Sequence, residues 1–170
     1  MPVKSLLSIL LLCFSTALSG QVLYADEDKP KIGSLGFIDR TFLQGQRERI
    51  DTLARDHLGR QLQGNKSNDL DILQTLLDRR LVGAEQTLEL QAMGVVMGDL
   101  LAADLNMSWV IYEDKVGRSR ALRLGLSDHY LFPVTMISRR AEVGAAVDTA
   151  AIYAKAAALM EPYLPPKPFQ

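Results

Sequence analysis

In 109-WVIYEDKVGRSRALRL-124 two adjacent carboxylates, Glu113 and Asp114, precede three arginines, Arg118, Arg120 and Arg123. A pair of carboxyl groups can supply a general acid and a general base, but such pairs come from separate elements held about 5–10 Å apart across a cleft. Neighbours on a strand point to opposite faces, so Glu113 and Asp114 do not share one substrate. Glu113 to Gly117 instead read as a four- or five-residue hairpin loop, with glycine at the far end to accept a positive φ. His129, beside Asp128, is the other acid–base candidate. Glu113, Asp114 and His129 are therefore the weak catalytic set.

Nothing else in the chain strengthens it. Ser108, Ser119, Ser127 and Ser138 sit in no recognisable nucleophile motif. His57 and His129 stand far apart in sequence and, with no cysteine beyond Cys13, offer no metal-ligand spacing. Gly94 and Gly98 fall inside a helical pattern rather than between a strand and a helix, so no phosphate loop is present. No cofactor and no metal are expected.

The arginines support a different chemistry. Arg139 and Arg140 follow 132-FPVTMIS-138, close to the strands that carry Arg118 and Arg120. Planar guanidinium forks suit carboxylate or phosphate groups. With Trp109, these four arginines form the candidate binding set, and a solvated face balanced by Glu113, Asp128 and Glu142 is the competing reading. With 19 basic and 20 acidic residues, net charge −1, the chain carries no broad basic surface for nucleic acid.

The elements that position these residues follow from periodicity. Apolar residues from Phe42 to Leu58 recur at steps of three and four, with Gly59 as the C-terminal cap, predicting a first helix over 37–59. Asn68 is the expected cap of a second helix over 70–82, and Thr87 of a third over 88–105. In the third, Gly94, Gly98 and Ala102 form one strip. Each interior glycine costs about 1 kcal/mol against alanine, so tight packing against a neighbour is expected to offset it. A membrane-dimer strip is disfavoured by Glu89, Gln91, Asp99 and Asp104.

From Met107 the period becomes two, and three strands are expected: 108–113, 118–124 and 129–134. Pro133 places the last at an edge. A helical turn over 136–142, a helix from Asp148 as cap through 149–163, and a polyproline-like frayed tail over 165–170 complete the chain. The expected fold is α+β: N-terminal helices packed with a three-stranded antiparallel meander and a C-terminal helix, one domain over 37–164.

The N-terminus carries the clearest signal. Lys4 precedes the uncharged run 6-LLSILLLCFSTAL-18, and Ala17-Leu18-Ser19 supplies small residues for signal peptidase. A secretory signal over 1–19 is expected, with cleavage after Ala25 as the alternative and a flexible lead-in over 26–36. The apolar run is shorter than the roughly 20 residues of a spanning helix, so no stable transmembrane span is expected after cleavage. Cys13 lies within the signal, leaving the exported domain, periplasmic or extracellular, without a thiol.

The block 90-LQAMGVVMGDLLAADLNMSWVIYEDKVGRSRALRL-124, with Gly94, Gly98, Trp109, Asp114 and Gly117 at its recognisable points, and 131-LFPVTMISRR-140 after it, resembles a small bacterial family known as domain of unknown function 3806. The resemblance implies a compact α+β domain, often exported, and brings no reaction, substrate or catalytic residue. The combined expectation is an exported, non-catalytic domain that binds an unknown protein or anionic ligand of the cell envelope. A small envelope hydrolase using Glu113 or Asp114 with His129, or a small-molecule carrier, are the alternatives.

Overall fold

The computed structural model describes residues 29–166. The expected signal sequence with its expected cleavage positions, the first part of the expected lead-in and the end of the expected tail lie outside the described residues. The order is β1 (Lys31–Ser34), α1 (Phe37–Leu58), α2 (Lys66–Asp78), α3 (Thr87–Leu105), β2 (Met107–Asp114), β3 (Gly117–Leu124), β4 (Tyr130–Leu131), a 3₁₀ turn (Pro133–Thr135), α4 (Ser138–Glu142), α5 (Thr149–Met160) and a last 3₁₀ turn (Glu161–Tyr163). Helices gathered beside one antiparallel sheet make the fold α+β.

Among the described residues the sheet has four strands in the order β1-β2-β3-β4, not the expected three. β1 lies in the stretch expected to be a flexible lead-in, and it pairs Lys31 with Glu113 through Ser34 with Val110. Pro30 and Gly33 hide it in the sequence, and its order comes from the ladder it makes along β2 rather than from its own side chains. β2 is thus central, as its two apolar faces require.

β3 follows β2 through a loop of only Lys115 and Val116, shorter than expected, because Asp114 and Gly117 are themselves a ladder pair. Asp114 closes the turn by accepting the N–H of Val116 at 2.8 Å and of Gly117 at 3.2 Å, and Gly117 takes φ 140°. β4 is two residues long, where 129–134 was expected. Pro133 has no N–H for a ladder, and the chain turns there into a 3₁₀ helix.

α3 is apolar over most of its circumference and is correspondingly buried: Leu90, Met93, Val95, Met97 and Leu101 are fully covered. Its glycine strip meets the turn after β4 and the sheet. A Cβ on Gly94 would lie 2.5 Å from the Pro133 carbonyl oxygen, and one on Gly98 would lie 2.5 Å from the Trp109 ring. Close packing is therefore the reason for both glycines. None of the described helices is long and apolar enough to cross a membrane.

Two caps differ from expectation. α2 starts at Lys66 under Asn65, whose side chain accepts the N–H of Asn68, so Asn68 is inside the helix and instead holds Arg60. Thr87 opens α3, with Gln86 as the cap residue. Gly59, at φ 63°, caps α1 as expected, and Asp148 caps α5 by accepting the N–H of Ala151. α5 ends at Met160, three residues before its expected end, where Pro162 follows in a 3₁₀ turn.

Candidate functional site

The strand register decides where the sequence candidates meet. In a two-residue hairpin closed by Asp114 and Gly117, odd-numbered β3 residues exchange backbone bonds with β2. Even-numbered ones direct their N–H and C=O to the other side, as Leu124 does in donating to the His129 carbonyl at 3.1 Å. Their side chains follow the same alternation. Arg118 and Arg120 project from the face that carries Trp109 and Ile111, toward the start of α1.

There they meet Asp39, in the first turn of α1. Its carboxylate lies 2.7 Å from the Arg118 guanidinium and 3.0 Å from that of Arg120. It also accepts the N–H of Gly36 at 3.2 Å, holding the helix start. Asp39 is only 3% exposed, and the Arg120 guanidinium lies over the Phe42 ring, 3.9 Å from its centre. The Arg118 hydrogen bond, opposed by burial and helped by Gly36, holds the Asp39 carboxyl below its usual range. One acid thus fixes two arginines, and nothing in the sequence separated Asp39 from the other charges of α1.

A cleft of about 600 Å³ opens beside this pair, along the part of β3 that β4 does not reach. Its wall carries Arg118, Arg120 and Arg139, with Tyr112 and Phe132 as the apolar side and Asp114 at the hairpin end. Tyr112 and Phe132 stand edge to face at 5.2 Å, so this side is a packed aromatic surface rather than two loose rings. Arg139 is exposed at the start of α4 and, among the described residues, makes no hydrogen bond or ion pair. Three of the four candidate arginines are therefore brought together around one lining carboxylate.

The remaining candidates go elsewhere. The Arg140 guanidinium donates to the Met136 carbonyl within its own turn. Arg123 donates to the carbonyls of Ser127 and Leu126, closing the β3–β4 loop. The Trp109 ring lies on Gly98, and its Nε1 donates to Asp99 at 2.9 Å. Asp99 also accepts a fork from Arg47 at 2.6 and 2.7 Å, so Trp109 belongs to a strut joining α1, α3 and β2.

The acid–base candidates are not assembled. Glu113 lies opposite Arg118, whereas His129 lies opposite Leu124, six residues along β3. At about 3.3 Å per residue that separation is roughly 20 Å, beyond the reach of a water-bridged dyad. His129 stacks on Tyr163 at 3.5 Å between ring centres, and Asp114 is committed to the turn. Among the described residues no group of three or more His, Cys, Asp or Glu side chains is placed to hold a metal ion.

A crystal structure from Bacteroides thetaiotaomicron VPI-5482 at 1.50 Å resolution has a similar fold, with a TM-score of 0.69 and 16% sequence identity. The match covers 77% of this chain and 48% of that one, so this chain spans about half the length of its structural relative. At that identity the likeness concerns the fold alone. No curated protein matches the chain. Residues 69–153 match the family described as Domain of unknown function (DUF3806). These residues run from α2 into α5 and hold the glycine strip, the hairpin, Arg118, Arg120 and Arg139, and the chain belongs to that family.

Proposed function

We propose that this protein is an exported, periplasmic, non-catalytic binding module whose arginine cleft receives an anionic group. The observation that carries the reading is Arg139, exposed and without a partner among the described residues, lining the same cleft as Arg118 and Arg120. Guanidinium groups held by Asp39 and Phe42 are pre-oriented, which reduces the entropy lost on binding. The aromatic side supplies apolar contact for whatever carries the anion.

Arg139→Glu is expected to weaken binding of inorganic phosphate and of a short glutamate-rich peptide by about tenfold or more, on the scale of one lost charge-assisted contact. Circular dichroism should stay that of the wild type, since Arg139 anchors nothing. Arg140→Glu, whose side chain serves its own turn, should leave the affinity within about twofold. Equal binding by wild type and Arg139→Glu in calorimetric titration would overturn the reading.

Export rests on the N-terminal pattern Lys4, 6–18 and Ala17 to Ser19. Fractionation of expressing cells should place the protein in the periplasm, with Gly20 or Asp26 as its first residue by N-terminal sequencing. Full-length chain retained in the cytosol would remove the envelope from the proposal.

A further inference from the structure

The arginine cleft is bounded by an unfinished sheet edge. β4 pairs with β3 only at Leu122 and Arg123, and the Leu124 amide bonds to His129 just beyond. Toward the hairpin, from Arg118 to Arg120, β3 has no strand on its outer side among the described residues. Arg118 and Arg120 are the even-numbered residues there, so their backbone N–H and C=O face outward into the cleft. Among the described residues neither makes a backbone bond on that side. Pro133, which would have stood opposite Arg120 had β4 continued, lacks the N–H to do so.

We propose, building on the anion-binding reading, that the occupant is an extended acidic peptide segment of a partner protein, added antiparallel to β3 along Arg118 to Arg120. Strand addition satisfies the open donors and acceptors, and the alternating side chains then set specificity. Residues opposite Arg118 and Arg120 share the face of those two guanidinium groups, which favours glutamate or aspartate at both positions. The residue between them lies opposite Ser119, on the face of Tyr112, which favours an apolar side chain. The preferred segment is acidic–apolar–acidic. Three arginines against Asp114 in the wall, with Asp39 behind, leave the cleft complementary to such a strand.

The geometry also fixes which peptide amides matter. In an antiparallel pair the residues opposite Arg118 and Arg120 exchange both backbone bonds with them, and the middle residue directs its N–H away. The test uses a fluorescein-labelled Glu-Val-Glu peptide with blocked ends, read by anisotropy against the purified protein. N-methylation of either glutamate amide should weaken binding roughly tenfold or more, through the lost hydrogen bond and the methyl clash. N-methylation of the valine amide should leave it within about twofold. Equal binding by the parent peptide and all of its N-methylated variants would overturn strand addition while leaving the anion-binding cleft intact, as phosphate titration would then show. Failure of both the peptides and phosphate to bind would overturn both readings. A protein that sediments as a dimer and binds the peptide only when dissociated would give the edge to a second copy, and overturn the partner peptide.

Discussion

Gly94→Ala lowers the stability of this protein by about 1–2 kcal/mol, whereas Gly45→Ala raises it by up to about 1 kcal/mol. Both glycines lie inside long helices, so helix propensity alone would make both substitutions favourable. The surroundings reverse one of them. A Cβ on Gly45 meets nothing within 4 Å, and the gain from restricting the unfolded chain is kept. A Cβ on Gly94 would lie 2.5 Å from the Pro133 oxygen and 2.6 Å from the Val134 oxygen. These are main-chain atoms of the turn after β4, which cannot rotate away as a side chain would. Either α3 or the turn must move, and overpacking of this kind costs about 1–3 kcal/mol before the propensity gain is set against it. The turn carries the chain onward to Arg139, so Gly94→Ala should also weaken phosphate binding, which Gly45→Ala should not touch. Urea denaturation of the three proteins measures the stabilities. A neutral or stabilising Gly94→Ala would show that α3 and the turn are not in close contact.

The same contact shows what could be read from the sequence and what could not. The strip of Gly94, Gly98 and Ala102 announced a close approach because its spacing is local to one helix, but the partners of Gly94, Pro133 and Val134, lie 39 and 40 residues further along the chain in a 3₁₀ turn that no periodicity marks. Trp109 is expected beside the binding arginines, yet its ring bonds to Asp99 instead, and that bond and the fork joining Asp99 to Arg47 depend on helix placement rather than on spacing. β1 was invisible for a different reason. Four residues around Gly33 have little intrinsic strand preference, and the edge of β2 supplies the order.

For the site, the strand register, which the sequence does not give, sets Arg118 and Arg120 on one face, and Arg139 lines the same cleft. Arg140, one position along, turns back on Met136. The open edge of β3 was only half visible: Pro133 marked an edge, but not that β4 would stop at Leu131, two residues before it. Loop geometry and strand register are non-local, and they are what converts a set of arginines into a cleft.

Asp39→Asn separates the two services that the buried acid performs. Asparagine retains an oxygen for the Gly36 amide, so the start of α1 should survive. What is lost is the charge facing Arg118 and Arg120, and stability should fall by about 2 kcal/mol, low in the range for charge-assisted bonds because Arg118 is half exposed to water. The cleft, however, gains one net positive charge, and phosphate or the acidic peptide should bind roughly three- to tenfold more tightly. A purely structural Asp39 would give lower stability without tighter binding. The pH dependence has a definite sign. The folded carboxyl titrates below its unfolded value, so its stabilisation is complete above about pH 4 and is lost as the pH falls through the folded pKa. Asp104, held down by Lys66 and the Tyr153 hydroxyl, titrates in the same sense and remains in the variant. Thermal unfolding between about pH 6 and pH 2 should therefore show a shallower acid slope for Asp39→Asn than for the wild type, but not a flat one. Parallel slopes would mean that Asp39 is not held charged by the arginines, and unchanged anion affinity would mean that its charge does not reach the cleft.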